Sequence, residues 1–341
     1  MKIAIHYTNM HFSQGWIDYC KTNKIDCIVV NCYDTNIIEQ LSDCSALMWH
    51  HDHRDSRDTR FAKQLLYALE VSGKIVYPDF RTNWHFDDKL GQKYLLEAIG
   101  APLVKSYVFY SRKDALQWAR ETYFPKVFKL RGGSGSENVR LAKDSNVAIR
   151  LINKAFGRGF SRYNAWGSLK ERWWKYKMGK SKIKEVFVGL ARFIIPTRYS
   201  LIQGRDRGYI YFQDYIPDNT HDIRVTYVNH RCFALRRRVR PGDFRASGGG
   251  MIEYDMVKVP KKAIKISFDV ASKLKLQTAA FDFVIRDGEP LIVEVSYGFG
   301  YDEDQFNHGY WDENMHFYPG TFEPYGWMVE NVIEKIKNKN K

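Results

Sequence analysis

Two carboxylates interrupt the most apolar stretches of the C-terminal third. Asp282 stands in Ala279-Ala280-Phe281-Asp282-Phe283-Val284, and Glu294 in Leu291-Ile292-Val293-Glu294-Val295-Ser296. Burying an unpaired carboxylate in such a strand is costly. Between the runs lies Asp287-Gly288, and Asp-Gly between apolar runs signals a tight hairpin. Folded that way, the two acids come close across the strands. They would repel each other unless a cation sits between them, and oxygen-only ligands suit Mg²⁺ shared with phosphate groups. The competing reading pairs each acid with an arginine.

A second constellation lies upstream, in Phe124-Pro125-Lys126-Val127-Phe128-Lys129-Leu130-Arg131-Gly132-Gly133-Ser134-Gly135-Ser136. Backbone N–H groups free of side-chain obstruction can wrap phosphate oxygens. Lys129, at the end of a strand entering this turn, would neutralise phosphate charge. An ordinary hairpin with glycines at positive φ is the alternative. A third is Tyr209-Ile210-Tyr211-Phe212-Gln213-Asp214-Tyr215-Ile216, followed by His221-Asp222-Ile223-Arg224-Val225. Such a strand can form an adenine slot, the backbone of Asp214 to Ile216 bonding the base and Asp222 accepting from a ribose; taken alone, it is an edge strand.

The elements that must position these residues follow from periodicity. Strand-like runs at Lys2–Tyr7, Cys27–Cys32, Ala46–Trp49 and Lys74–Tyr77 alternate with helical stretches at Trp16–Lys24, Asn36–Leu41 and Arg60–Ser72. That alternation predicts an α/β domain over residues 1–82, with a parallel sheet covered on both faces. Helices are expected at Asp87–Ile99, closed by Gly100, and at Arg112–Thr122. Further on come a helix at Lys261–Leu274, the Asp282/Glu294 hairpin and a last helix at Gly326–Lys337.

Taken in order, with the lysine-bearing stretch Asp88-Lys89-Leu90-Gly91-Gln92-Lys93 ahead of them, these motifs resemble the ATP-grasp superfamily. The nearest branch is that of the glutathione synthetase-like and RimK-type ligases. Its most specific mark is Asp222-Ile223-Arg224-Val225, then Ala234-Leu235-Arg236-Arg237-Arg238-Val239-Arg240-Pro241-Gly242-Asp243-Phe244-Arg245. The resemblance covers residues 85–300 and is weakest over the basic segment 150–205.

The resemblance implies a Rossmann-like pre-ATP-grasp domain (1–82) and two ATP-grasp subdomains with ATP between them. The first subdomain spans 83–215 and includes the basic insertion; the second spans 216–341. By the same resemblance Lys93 and Lys129 contact ATP phosphates, and Gly133, Ser134 and Gly135 fold over them. Gln213, Tyr215 and Ile216 form the adenine hinge with Asp214, and Asp222 holds the ribose. Asp282, Glu294 and Ser296 bind Mg²⁺, with Mn²⁺ as an alternative, and Arg224, Arg238 and Arg245 surround the reacting acyl phosphate. Three positions depart from the pattern: Ser296 and Ser247 replace asparagines, and Asn138 replaces a loop glycine. Asn tolerates left-handed φ, so the turn can survive.

The activity so implied is ADP-forming ligation of a carboxylate to an amine through an acyl phosphate. Phosphorylation of a hydroxyl, or ATP or glycan binding without catalysis, are the rival readings. The tail from Tyr297, with Gly309-Tyr310-Trp311-Asp312 and Trp327, is similar to ATP-grasp proteins of bacterial surface-polysaccharide synthesis and is expected to form a wall on the acceptor side. It suggests a uronic acid on a glycan as the carboxylate. The superfamily also makes a homodimer a natural expectation.

Composition bounds the rest. The 341 residues, 44% hydrophobic, suffice for two or three domains. No long apolar run predicts a spanning helix, and the N-terminus turns polar too early for a signal peptide. Five cysteines without Cys-x-x-Cys spacing argue against disulfides and zinc and fit a reduced, cytoplasmic enzyme. His50-His51-Asp52-His53 reads as a polar loop. The net charge of +14 attracts polyanions. Residues 154–184 concentrate it, with ten basic residues, one acidic residue and Trp166, Trp173 and Trp174. Three readings compete there: a solvated lid helix with inward tryptophans, nucleic-acid binding, and contact with an anionic membrane or a lipid-linked glycan.

Overall fold

The computed structural model describes residues 1–8, 11–53, 55–133, 138–161, 165–179, 181–193, 195, 202, 204–239, 243–245, 251–300 and 303–339. By its contacts the chain forms two compact units. One comprises Met1–Phe86, Leu96–Leu103 and Asn219–Lys341; the other comprises Asp87–Leu95 and Val104–Asp218.

The first unit opens with strands β1 (Ile3–His6), β2 (Cys27–Val30), β3 (Ala46–Met48) and β4 (Ile75–Tyr77). They form a parallel sheet in the order β2-β1-β3-β4. Alternation sends side chains to two cores. Ala4, Leu47 and Val76 pack with Ala62, Leu66 and Leu69 of helix Ser56–Val71. Ile3, Ile5, Ala46 and Met48 pack with Phe12, Trp16 and Ile17 of helix His11–Thr22. The histidine run after β3 is no solvated loop: His50 and His51 are buried. His50 stacks on Phe12 at 3.9 Å, and His51 lies against Tyr297.

The second unit is built on an antiparallel sheet. Its strands are β5 (Ser106–Phe109), β6 (Lys126–Lys129), β7 (Arg140–Ala142) and β10 (Ile210–Asp214), ordered β5-β10-β6-β7. Short strands β8 (Phe160–Ser161) and β9 (Arg205–Asp206) pair separately. Helices Arg112–Glu121 and Ser145–Phe156 start at Ser111 and Asp144, whose side chains accept from Asp114 and Val147 N–H as N-caps. They cover the face carrying Phe128 and Phe212. Two more helices, Ala165–Lys177 and Ile183–Ala191, form the basic insertion.

The first unit resumes with a larger sheet. Its strands are β11 (His221–Val228), β12 (Arg231–Arg238), β13 (Ile252–Glu253), β14 (Thr278–Arg286), β15 (Glu289–Ser296), β16 (Tyr310–Asp312) and β17 (Phe317–Tyr318). The order is β15-β14-β11-β12-β16-β17, with β13 on β12. Asp287 and Gly288 both take positive φ, 54° and 81°, as the two-residue hairpin turn requires.

Helix Lys261–Leu274 lies on one face of this sheet, against Ile223, Val225, Phe281 and Phe283. Each fully buried phenylalanine contributes about 1.5–3 kcal/mol over its exposed state. On the other face Val228, Phe233 and Ala280 join the core of the N-terminal sheet and the last helix, Pro324–Lys339. The tail tryptophans belong to these cores: Trp311 is 5% exposed and Trp327 9% exposed. They support the sheet and do not form the expected acceptor-side wall, because apolar area of this size is worth more buried.

Candidate active site

In the second unit, β6 and β10 carry the candidate nucleotide residues. Tyr211 lies opposite Lys129 and Gln213 opposite Val127, so Lys129 and Gln213 are diagonal neighbours on one face. Lys129 Nζ donates to Gln213 Oε1 at 2.7 Å, and Gln213 Nε2 donates to Ser106 Oγ at 3.2 Å. Lys129 is buried at 8% exposure, where the amide carbonyl accepts one of its N–H groups.

One strand position further, Lys126 and Asp214 face each other and form a buried ion pair at 2.6 Å. Tyr123 OH donates to the second carboxylate oxygen at 2.7 Å, and the Lys126 ammonium lies 3.3 Å from the Tyr123 ring centre. The Asp214 N–H donates to Lys105 O at 2.9 Å. Of the expected hinge, Asp214 is thus committed to the scaffold by both side chain and N–H. Tyr215 and Ile216 follow it half-buried.

The start of helix Lys89–Ala98 clamps the glycine turn. Asp88 Oδ1 caps the helix by accepting from Leu90 and Gly91 N–H, and Asp88 Oδ2 pairs with Arg131 at 2.6 Å. Gly133 donates its N–H to Asp87 Oδ1 at 2.6 Å, while its carbonyl accepts from Lys89 Nζ at 2.8 Å. The buried lysine at this turn is therefore Lys89, at 7% exposure. Lys93, the residue expected there, directs its ammonium over the Tyr94 ring at 4.8 Å. Helical spacing separates the two: four residues is one turn, so either lysine can reach the same face from sequence alone, and the cap at Asp88 decides. Ser134 and Gly135 lie outside the described residues. Asn138 takes φ of 59°, the left-handed conformation anticipated for it.

In the first unit, one face of the large sheet carries a charged cluster. Asp222 lies opposite Arg237, Arg224 opposite Asp282, and Asp282 opposite Glu294. Arg224 grips both Asp282 oxygens, Nε at 2.7 Å and Nη2 at 2.9 Å. Arg237 grips both Asp222 oxygens at 2.7 and 2.6 Å and reaches Asp282 Oδ2 at 2.9 Å. Burial raises the Asp282 carboxyl, but Arg224 and Arg237 overcome it and hold the group far below the usual carboxylate range. Burial also raises Asp222, which Arg237 only partly offsets.

Arg238 is not part of this cluster. Strand alternation puts it on the opposite face from Arg237, 61% exposed and 3.4 Å from Glu253. His221 and Arg236 share that glutamate. The inward guanidinium of the Arg-Arg-Arg run is Arg237, and only strand register distinguishes the three. Arg245 is held by Asp243, two residues before it, at both carboxylate oxygens. Ser247 lies outside the described residues.

These groups suit a magnesium nucleotide. Asp282 receives three N–H donors, and a carboxylate offers about four acceptor sites, so it keeps capacity while fully ionised. Glu294 adds a second carboxylate directly opposite, at a bulge after Asp282. Ser296 donates its hydroxyl proton to Gly298 O at 2.6 Å, so its oxygen retains acceptor lone pairs. Among the described residues no group of three or more His, Cys, Asp and Glu side chains is placed to hold a metal. Two carboxylates completed by nucleotide phosphates are the usual surroundings of Mg²⁺.

Residues 189–305 match the model of the RimK-like ATP-grasp domain. No curated protein matches the chain. Among solved structures, a RimK domain ATP-grasp protein from Sphaerobacter thermophilus DSM 20745 superposes with a TM-score of 0.58 at 12% identity, covering 98% of this chain and 100% of that one. The D-alanine–D-alanine ligase of Bacillus anthracis complexed with ATP gives 0.56 at 14% identity, covering 100% and 98%. The ATP-grasp ligase PsnB, complexed with a minimal precursor, Mg and ADP, gives 0.52 at 12% identity, covering 98% of each chain. Residues 189–305 are thus similar to a RimK-like ATP-grasp domain, and the fold as a whole is similar to those of these solved ATP-grasp proteins.

Proposed function

We propose that the protein is an ADP-forming ligase that activates a carboxylate with ATP and joins it to an amine. The observation that carries this reading is Asp282 directly opposite Glu294, with Arg224 and Arg237 bonded to the Asp282 carboxylate. Asp282 and Glu294 would hold Mg²⁺, which neutralises charge on the phosphate oxygens. In the other unit, Lys129 and Lys89 supply cationic N–H donors suited to phosphate, and Gln213 orients Lys129.

A free carboxylate is a poor electrophile at neutral pH. Its oxygen attacks the γ-phosphorus of ATP in line, the bond to the β-phosphate oxygen breaks, and ADP leaves. The amine then attacks the acyl carbon, a proton is lost, and phosphate departs. Arg224 and Arg237, held in place by Asp282 and Asp222, offer fixed N–H donors for a developing oxyanion. No side-chain nucleophile is required.

The net charge of +14 supports an anionic carboxylate donor such as a uronic acid on a glycan, with an amino acid or similar amine as acceptor. Screening ADP release over paired carboxylates and amines, with mass spectrometry of products, tests the reading. Amide product dependent on both partners is expected. A stable phosphoester formed on a hydroxyl substrate without any amine would replace the ligase by a kinase.

A further inference from the structure

The basic insertion holds none of the residues assigned to this chemistry, and its two helices present an unusual surface. Trp166, Lys170, Trp173 and Lys177 recur at spacings of four, three and four, which places them on one face of helix Ala165–Lys177. That face is exposed: Trp166 is 59% and Trp173 46% accessible. Each lysine lies near the ring that precedes it, Lys170 at 6.0 Å from Trp166 and Lys177 at 5.6 Å from Trp173. On helix Ile183–Ala191 the outward positions are Ile183, Phe187 and Leu190, and Phe187 is 64% exposed. The Phe193 ring meets Trp166 at 5.8 Å and so joins the two apolar faces.

The inward side of the hairpin is small. Val186 and Gly189 are buried, and a side chain at Gly189 would meet Leu169 and Arg172 at about 3 Å, so the helices touch closely there. Arg172 and Glu185 pair across them. Trp166, Trp173, Ile183, Phe187 and Leu190 therefore face outward, contrary to a lid with all its tryptophans inward, while Trp174 is half-buried. An apolar patch this continuous marks a contact surface.

We infer that this helical hairpin is a docking surface for an anionic lipid bilayer, lying in the interface with its tryptophans and phenylalanines inserted and its lysines on the headgroups. Charge selects this occupant. Residues 165–195 hold eight Lys or Arg against two Glu. Two copies packed face to face would bring both basic sets together. A nucleic acid would satisfy the lysines and stack on the tryptophans but leave Ile183, Phe187 and Leu190 in water. A bilayer interface accommodates all three features: basic headgroup contact, interfacial Trp, and an aliphatic face in the acyl boundary. No described helix is long and apolar enough to cross a membrane, so the contact is peripheral. This inference is independent of the ligase reading.

Flotation of the whole protein with phosphatidylcholine vesicles containing stepped fractions of phosphatidylglycerol tests it. Binding should rise with the anionic fraction, weaken in high salt, and fall by about tenfold or more when Trp173 and Phe187 are both changed to alanine. Lys170→Glu with Lys177→Glu should abolish the dependence on phosphatidylglycerol. Brominated acyl chains should quench the tryptophan fluorescence of the unaltered protein, a readout that needs no variant. Equal binding to neutral and anionic vesicles, or no quenching, overturns the proposal. So does salt-sensitive oligonucleotide binding, or self-association removed by the alanine pair, if vesicles are not bound.

Discussion

Lys129 donates to Gln213 across a strand diagonal at 2.7 Å, which ties the strand entering the glycine turn to the strand leading into the candidate hinge. The amide orients the ammonium without cancelling its charge. Gln213→Glu would keep the geometry and replace a dipole by an opposite charge. Mg·ATP affinity is expected to fall about tenfold in that variant, and further in Lys129→Ala. Isothermal titration with a non-hydrolysable ATP analogue measures it. Unchanged affinity in both variants would remove the phosphate role of this pair.

Lys89 and Lys93 make a direct comparison. Lys89 is buried and bonded to Gly133 O, whereas Lys93 lies over the Tyr94 ring. Lys89→Ala should weaken nucleotide binding by about tenfold or more, and Lys93→Ala by much less. The reverse order of effects would restore Lys93 to the phosphate role.

The Arg237 guanidinium bridges two carboxylates, Asp222 and Asp282, in a nearly closed cluster. Removing it leaves two adjacent negative charges with Arg224 alone. Arg237→Met should cost about 3 kcal/mol of stability in the ligand-free protein, since a buried pair broken on one side strands a charge. Urea denaturation reads this directly. Added Mg·ATP should recover more stability in the variant than in the parent protein, because a cation at Asp282 substitutes for the missing charge.

Asp58 should act as a pH sensor of the N-terminal sheet. Its carboxyl is pushed up to about 6, chiefly by burial, against hydrogen bonds from Tyr33 OH and the Asp52 N–H. In the unfolded chain it ionises near 4. Between about pH 4 and pH 6 the folded state therefore binds more protons, so this contribution is full at low pH and is lost as pH rises through 6. Carbon-13 NMR should show a carboxyl titrating near pH 6 that vanishes in Asp58→Ala. A midpoint near 4 for every carboxyl would refute the assignment.

Much of the architecture was legible in residue order. Local periodicity marked the four parallel strands and the Asp287-Gly288 hairpin, because both depend on short-range chemistry: alternation, and φ > 0 at the turn. Asp282 and Glu294 were found for the same reason, since a tight turn brings its flanking strands together whatever the rest of the chain does. What depended on register or on distant packing was not legible. Arg236, Arg237 and Arg238 are chemically identical neighbours, and only the pairing of His221–Val228 with Arg231–Arg238 turns Arg237 toward Asp222 and Asp282. Asp222 and Asp282 are far apart in sequence, so their shared guanidinium is a tertiary fact.

Burial separated the remaining cases. Trp311 and Trp327 lie in cores, while Trp166 and Trp173 face outward. Their residue type is the same, and only the area available against neighbouring elements distinguishes them. Sequence alone marked the groups whose chemistry suits phosphate, metal and adenine, because a lysine, a carboxylate and a glycine-rich backbone carry that chemistry wherever they stand. The tertiary structure decided which lysine lies buried at the glycine turn, which arginine meets Asp222 and Asp282, and which tryptophans face outward, because position follows from strand pairing, helix capping and packing.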